Sequence, residues 1–489
     1  MKHTFIATLF GLIGFANASG QQSLPQQQLV VNLSLLDAVQ LSQSNNPAVV
    51  QARLQAMIAE GAIVSAAGDF DTVLFSELNY NYNESPASGF FSSFGNTVST
   101  SYSASQGIRS NFRSGGNLEF KINEGYDDFN YLAATQSNTS VSVSFTQPLL
   151  RGAFSMVATA NERKAKLSHN SASLQVSQSS VDAVQSVVDA YWNLSFALSD
   201  LGVKQQSLQL AENLRDITIA KFEVGAVAEV EVTQTRADIA ARVDAVLVAQ
   251  NVVDNNHDAL RKLVSAFDSQ NDWAIDFKLV SELPRATEVV DDWHSAWQRA
   301  MSSRADIKKL QDDIESDKID LEVAASNMRP KLDFTATGNY SAQDRQVGLS
   351  LDRLFDRDFP GYTVGFVFEL PITDNQHLGA EMQAKNQLLL SKRILRDRGN
   401  ELAQQVRQAL HDVNYYSQRV AVTEHSVNMA ELKLQSEQLK LSEGASTNYQ
   451  VLQIQADLAI AQSQNLQAKT EYAKASVKFE TVQGRTPVF

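Results

Sequence analysis

The sequence predicts an α+β membrane protein built from two tandem repeats, each giving two amphipathic strands to a β-barrel and one long helical hairpin. Three observations predict it. First, the halves match: KFEVGAVAEVEVTQTRADIA at 221–240 answers KLSEGASTNYQVLQIQADLA at 440–459, pairing Gly225 with Gly444 at a spacing of 219 residues. SFTQPLLRG at 144–152 likewise answers FVFELPITD at 366–374 and pairs Pro148 with Pro371. Such a unit is far longer than solenoid repeats of roughly 20 to 50 residues. Second, the nine prolines leave 149–283 and 372–486 without any, and those stretches are rich in good helix formers. Third, short segments alternate with period two, and 14 of the 24 phenylalanines fall within 70–145 and 334–368, where those segments lie. Alternation of this kind is the mark of strands with one apolar face.

In chain order, residues 1–18 read as a signal peptide. Lys2 and His3 precede an apolar run from Phe5 to Phe15, and Ala16-Asn17-Ala18 supplies a small-x-small cleavage site. Residues 19–32 form a polar linker, and repeat 1 spans 33–265. It opens with a helix and carries strands at about 70–82 and 139–147. In the first strand Leu74, Leu78, Tyr80 and Tyr82 oppose Glu77, Asn79 and Asn81; in the second Val141, Val143 and Phe145 oppose Ser142, Ser144 and Thr146. A helical hairpin follows, turning near Gly225, whose descending helix from about 153 to 222 would be ~105 Å long. A hairpin of that length has little interior of its own and must bury its seam on further helices.

Residues 266–292 join the repeats, and repeat 2 spans 293–485, followed by a short tail at 486–489. Its strands lie at about 331–341 and 361–370, and its hairpin turns near Gly444. Gly225 and Gly444 read as turn residues because glycine adopts left-handed conformations cheaply. Pro148 and Pro371 read as strand-to-helix junctions, ending a strand and opening the helix, since proline gives no ladder donor but is tolerated in a first helical turn.

The repeats differ at one place. Asn46 pairs with Arg304 at a spacing of 258 residues and Pro148 with Pro371 at 223, so the first half holds 35 extra residues between its strands, within 83–138. Part of the insert alternates, with Leu118, Phe120 and Ile122 against Asn117, Glu119, Lys121 and Asn123 after a Ser114-Gly115-Gly116 turn. It is either a long external loop or an added hairpin. We favour an ordered external loop, because an added pair would give three chains eighteen strands and a wider wall than the helices match.

Composition narrows the function. A net charge of −14 is unfavourable for nucleic-acid binding, and the lack of cysteine excludes disulfides and a lipid anchor on cysteine. No run of 18 apolar residues follows the signal, so a membrane crossing falls to the strands. The seven histidines form no close metal-ligand spacing, and no P-loop, GxGxxG, GxSxG or HExxH occurs. No enzyme and no cofactor is expected. Four strands per chain cannot close a barrel, for which about eight is the minimum; three chains would bring twelve strands and twelve helical segments.

The order LSLLDAVQLSQSNNPAVVQAR, strand, FTQPLLRGAF, a long helix with AYWNL at 190–194, FEVGAVAEVEVTQTRADI, then a second round ending in LSEGASTNYQVLQIQADLA, resembles the TolC-like outer membrane efflux protein family over about 33–485. The resemblance implies a homotrimer sharing a 12-stranded transmembrane β-barrel in outer membrane lipid, continuous with a long α-helical periplasmic barrel. It also implies a passive exit duct for efflux or type I secretion, driven by an inner-membrane pump of RND or ABC type through a periplasmic adaptor protein. Some members carry acidic residues six and nine positions after the turn glycine, at the gate. Here those positions are Glu231 and Gln234 in the first hairpin and Gln450 and Gln453 in the second. A trimer would place three Glu231 side chains near the entrance as an acidic ring of the kind that favours cations; the alternative is that Glu231 is a solvated charge on the helix face. The rival reading is an exported trimeric coiled-coil stalk or adhesin anchored by a β-domain.

Overall fold

The computed structural model describes residues 29–86, 95–129, 136–265, 273, 275–289, 291–345, 350, 352–353 and 360–485. The expected signal peptide, most of the polar linker and the tail at 486–489 lie outside them. Strand β1 (Leu29–Leu33) leads to helices α1 (Leu35–Asn45) and α2 (Pro47–Ala67), then to β2 (Val73–Pro86), β3 (Asn96–Asn111), β4 (Asn117–Phe129) and β5 (Gln136–Pro148). A single turn α3 (Ser155–Ala158) precedes α4 (Ala160–Glu223), which returns as α5 (Glu229–Val264). After β6 (Ile275–Leu279) come α6 (Trp293–Ser303), α7 (Ala305–Asn327), β7 (Lys331–Asp344), β8 (Pro360–Glu369), and the second long pair, α8 (Asn375–Ser442) and α9 (Asn448–Val482).

Local chemistry sets the helix starts. Ser34 and Asp37 form a reciprocal capping box on α1, and Asn46 caps α2, whose first residue is Pro47, a position where the missing N–H costs nothing. Pro148 closes β5 opposite Asp333, but neither proline opens a helix. Gly152 and Phe154 take positive φ of 73° and 75° before α3, and α8 starts at Asn375 on an Asp374 cap. The junctions are therefore short connections that let a tilted strand re-aim into a helix.

At 64 and 68 residues, α4 and α8 are each roughly 100 Å long. Nearer the strands the helix order is α2, α4, α7, α8; toward the hairpin turns it is α5, α4, α9, α8. Each level is thus an arc four helices wide. One buried core lies where α1, β1 and β6 meet α4, around Leu33, Val187, Val188, Tyr191 and Leu194; another joins α6, the start of α7, α8 and α9 around Ala300, Ile307, Leu402, Val406, Tyr472 and Phe479. Tyr191 Oη donates to Leu33 O at 3.1 Å and accepts from Ser281 N at 3.0 Å. Two residues expected in the linker and the inter-repeat segment, Leu29 and Ile275, open β1 and β6, which pair in parallel.

The larger sheet runs β2-β3-β4-β5-β7-β8, antiparallel throughout. The expected external loop at 83–138 is therefore corrected: within it, β3 and β4 are long strands laddered between β2 and β5. The ladder also corrects the strand count per chain from four to six. The ladder pairs the backbone N–H and C=O groups of β3 and β4 with those of β2 and β5.

Candidate channel entrance at the hairpin tips

The two tips fold alike. Lys221 O accepts from Ala226 N at 2.8 Å, and Lys440 O accepts from Ala445 N at 2.8 Å, each across a glycine at φ +75° or +77°. This six-to-one bond around a left-handed glycine closes the last helical turn. A Cβ on either Gly225 or Gly444 would meet no atom, so backbone conformation alone selects glycine there.

The returning helices start differently. Thr447 caps α9 through Gln450 N, while α5 has no side-chain cap and instead carries Glu229 and Glu231 in its first turn, where the positive helix end favours carboxylates. Glu231 is half-buried, and its Oε2 is buried without a partner in the chain. Gln234, Gln450 and Gln453 are exposed. Gln453 donates to Asp457 at 3.3 Å, and Ser446 Oγ stands 2.9 Å from Gln450 Oε1 and 2.5 Å from Glu437 Oε1. Bonds from Ser446 and Lys440 hold the Glu437 carboxyl below its ordinary pKa, so the second tip also carries a carboxylate, ion-paired with Lys440 at 3.2 Å.

The tie between the hairpins is a residue the sequence reading passed over. Arg242 on α5 is 8% exposed. Its Nη1 donates to Ser207 O and Oγ on α4 at 2.8 and 2.7 Å, its Nη2 to Leu452 O on α9 at 3.1 Å, and its Nε to Asp238 at 2.5 Å. One guanidinium thus fastens three helices a few turns from the entrance. The Asp-x-x-x-Arg spacing was visible in the sequence, but on a helix it reads equally as a solvated pair. At the position matching Asp238, Asp457 accepts from Lys433 of α8 at 3.3 Å.

A family model described as outer membrane efflux protein matches residues 123–266 and 296–485. The chain belongs to the outer membrane efflux protein family. No curated protein sequence matches it. Among solved structures it is similar to the CmeC outer membrane channel of Campylobacter jejuni, at 15% identity over 92% of this chain and 85% of that one, with a TM-score of 0.67. It is likewise similar to the outer membrane protein VceC of Vibrio cholerae, at 16% identity, 92% and 96% coverage and a TM-score of 0.67. A membrane protein from Pseudomonas aeruginosa gives 15% identity, 95% and 97% coverage and a TM-score of 0.71. At these identities the shared property is the fold. Among the described residues no helix is long and apolar enough to cross a membrane.

Proposed function

We propose that this chain is the outer-membrane exit duct of a tripartite efflux or type I secretion system, working as a homotrimer that passively conducts cargo delivered by an inner-membrane pump through a periplasmic adaptor. The signal peptide directs export, and the two halves act as pseudo-symmetric repeats around the wall. One observation carries the reading: a single chain is an arc of wall with both edges open. Among the described residues the sheet ends in edge strands β2 and β8, and the helical row ends in α5 and α8, whose outer flanks expose Leu247, Val248, Tyr415 and Val422 at 57 to 69%. Open strand edges and apolar flanks are covered in stable proteins, and identical copies joined edge to edge cover both at once.

In this reading Glu231 and its copies line the entrance. Single-channel recording of the purified trimer in a planar bilayer should show small, mostly closed, cation-selective openings. Glu231→Gln should weaken cation selectivity at least twofold. An inserted trimer without conductance would overturn the duct, and unchanged selectivity would remove Glu231 from the entrance.

A further inference from the structure

We propose that the β3–β4 hairpin is a membrane-spanning part of the duct wall, so that three chains close an eighteen-stranded barrel rather than a twelve-stranded one, with an outer mouth suited to bulkier cargo. The inference rests on the trimeric duct proposed above. Its first support is the register. Across the whole sheet, Leu74 pairs with Ile108, Ile108 with Phe120, Phe120 with Val143, Val143 with Gly338 and Gly338 with Tyr362. This row keeps one side of the sheet from β2 through the hairpin to β8, as a lipid-facing wall requires, and nearer the outer end the same side carries Gln106 and Glu124, the latter accepting from Ser137 Oγ at 2.7 Å. The opposite face of the hairpin is polar, with Ser105 bonded to Asn123 at 2.7 Å.

The second support is aromatic. Tyr80, Tyr102 and Tyr126 stack across β2, β3 and β4 with ring centroids 4.9 and 6.3 Å apart. At the helical end, Phe112, Phe145, Phe334 and Phe366 make a second band at 6.5, 6.5 and 5.6 Å. The hairpin belongs to both. Ten residues separate Tyr102 from Phe112, which is about 33 Å of strand, or about 25 Å of height at a tilt of ~40°, the height of the apolar band between aromatic girdles.

The third support is the fit of the hairpin to its neighbours. A Cβ on Gly107 would lie 2.8 Å from the Phe75 ring, and one on Gly115 would lie 2.7 Å from Gly152 O. Arg113 in the turn reaches Glu162 of α4 at 3.2 Å and sits over the Phe70 ring at 4.9 Å. The turn is docked where strands become helices, so the hairpin crosses the full depth of the sheet. Barrel diameter grows roughly linearly with strand number, so the strand region would be about half again as wide as a twelve-stranded one.

Cryo-electron microscopy of the full-length protein in lipid nanodiscs tests this directly. Eighteen strands with β8 of one copy against β2 of the next is the expected image. A trimer with twelve strands in the wall and the hairpin lying off it would overturn the inference while leaving the duct intact; a particle that is not a trimer would overturn the duct reading itself. The width is read separately by polymer exclusion from the outer face of planar bilayers. The full chain should admit polymers of about twice the cross-section admitted by a variant lacking residues 87–135, and equal cut-offs would overturn the wider mouth.

Discussion

Arg242 illustrates how much of this wall hangs on single buried groups. Its guanidinium is planar and always charged, and here every bonding direction used ends on protein: Asp238, Ser207 and the Leu452 carbonyl. Arg242→Met keeps the apolar stem but removes the second bond to the Ser207 and Leu452 carbonyls, which keep their helical partners, and deprives the Ser207 hydroxyl and the Asp238 carboxylate of their guanidinium partner. Because Asp238 is partly open to solvent, the loss should be about 2–3 kcal/mol, below that for a fully buried broken pair. Urea unfolding should show that loss. Hydrogen exchange should quicken around Ser207 and Leu452, and the channel should open more often. Arg242→Lys should not restore the wild-type behaviour, because an ammonium cannot span the same fork. An unchanged exchange pattern would mean that packing, not this tie, holds the tips.

The elements were legible to very different degrees. Both long hairpins, their glycine turns and the strands with strong alternation were readable because one residue in two, or one face in 3.6, carries the signal. β4 was half-visible through Leu118, Phe120 and Ile122. Its partner β3 was hidden: one of its faces is mostly serine and threonine, and the other is broken by Thr100 and Gln106, so only pairing with β2 and β4 reveals it. The five-residue pair β1 and β6 lies far apart in sequence and has no local mark at all. The link between α7 and α8 was equally invisible, and it is electrostatic. Burial works against ionisation of Asp306, yet guanidiniums of Arg304 and of Arg398, the latter at 2.7 Å, hold its carboxyl down from 3.8 to about 2. A lowered pKa contributes stability fully above the ordinary value, and that stability disappears as pH falls from about 4 to about 2; here it is roughly 2 kcal/mol. Asp306→Asn should therefore lower stability by about that amount at neutral pH and flatten the acid limb of an unfolding curve. A variant that keeps the wild-type acid limb would show that the pair is electrostatically idle.

At the scale of the whole molecule, the decisive feature is what one chain leaves uncovered. On α8, Tyr415, Val422 and Met429 recur every seven residues and are 59, 69 and 46% exposed, while Val413 and Val420, on the opposite side of the same helix, are buried. A heptad stripe facing away from its own chain is a seam awaiting another helix. The helix order makes α8 one end of the row and α5 the other, so in the proposed trimer the next copy's α5 is the helix that would receive it. A charge introduced into this seam must be desolvated in the assembly but not in the lone chain. Val422→Glu should accordingly leave the helical content of the monomer unchanged and reduce the trimer fraction at least tenfold in detergent, as read by analytical ultracentrifugation. Val422→Ile, which keeps the seam apolar, should assemble normally. If the glutamate variant assembled as well as the parent, this face of α8 would not be a subunit contact, and the closure of the wall would have to be sought through the strands alone.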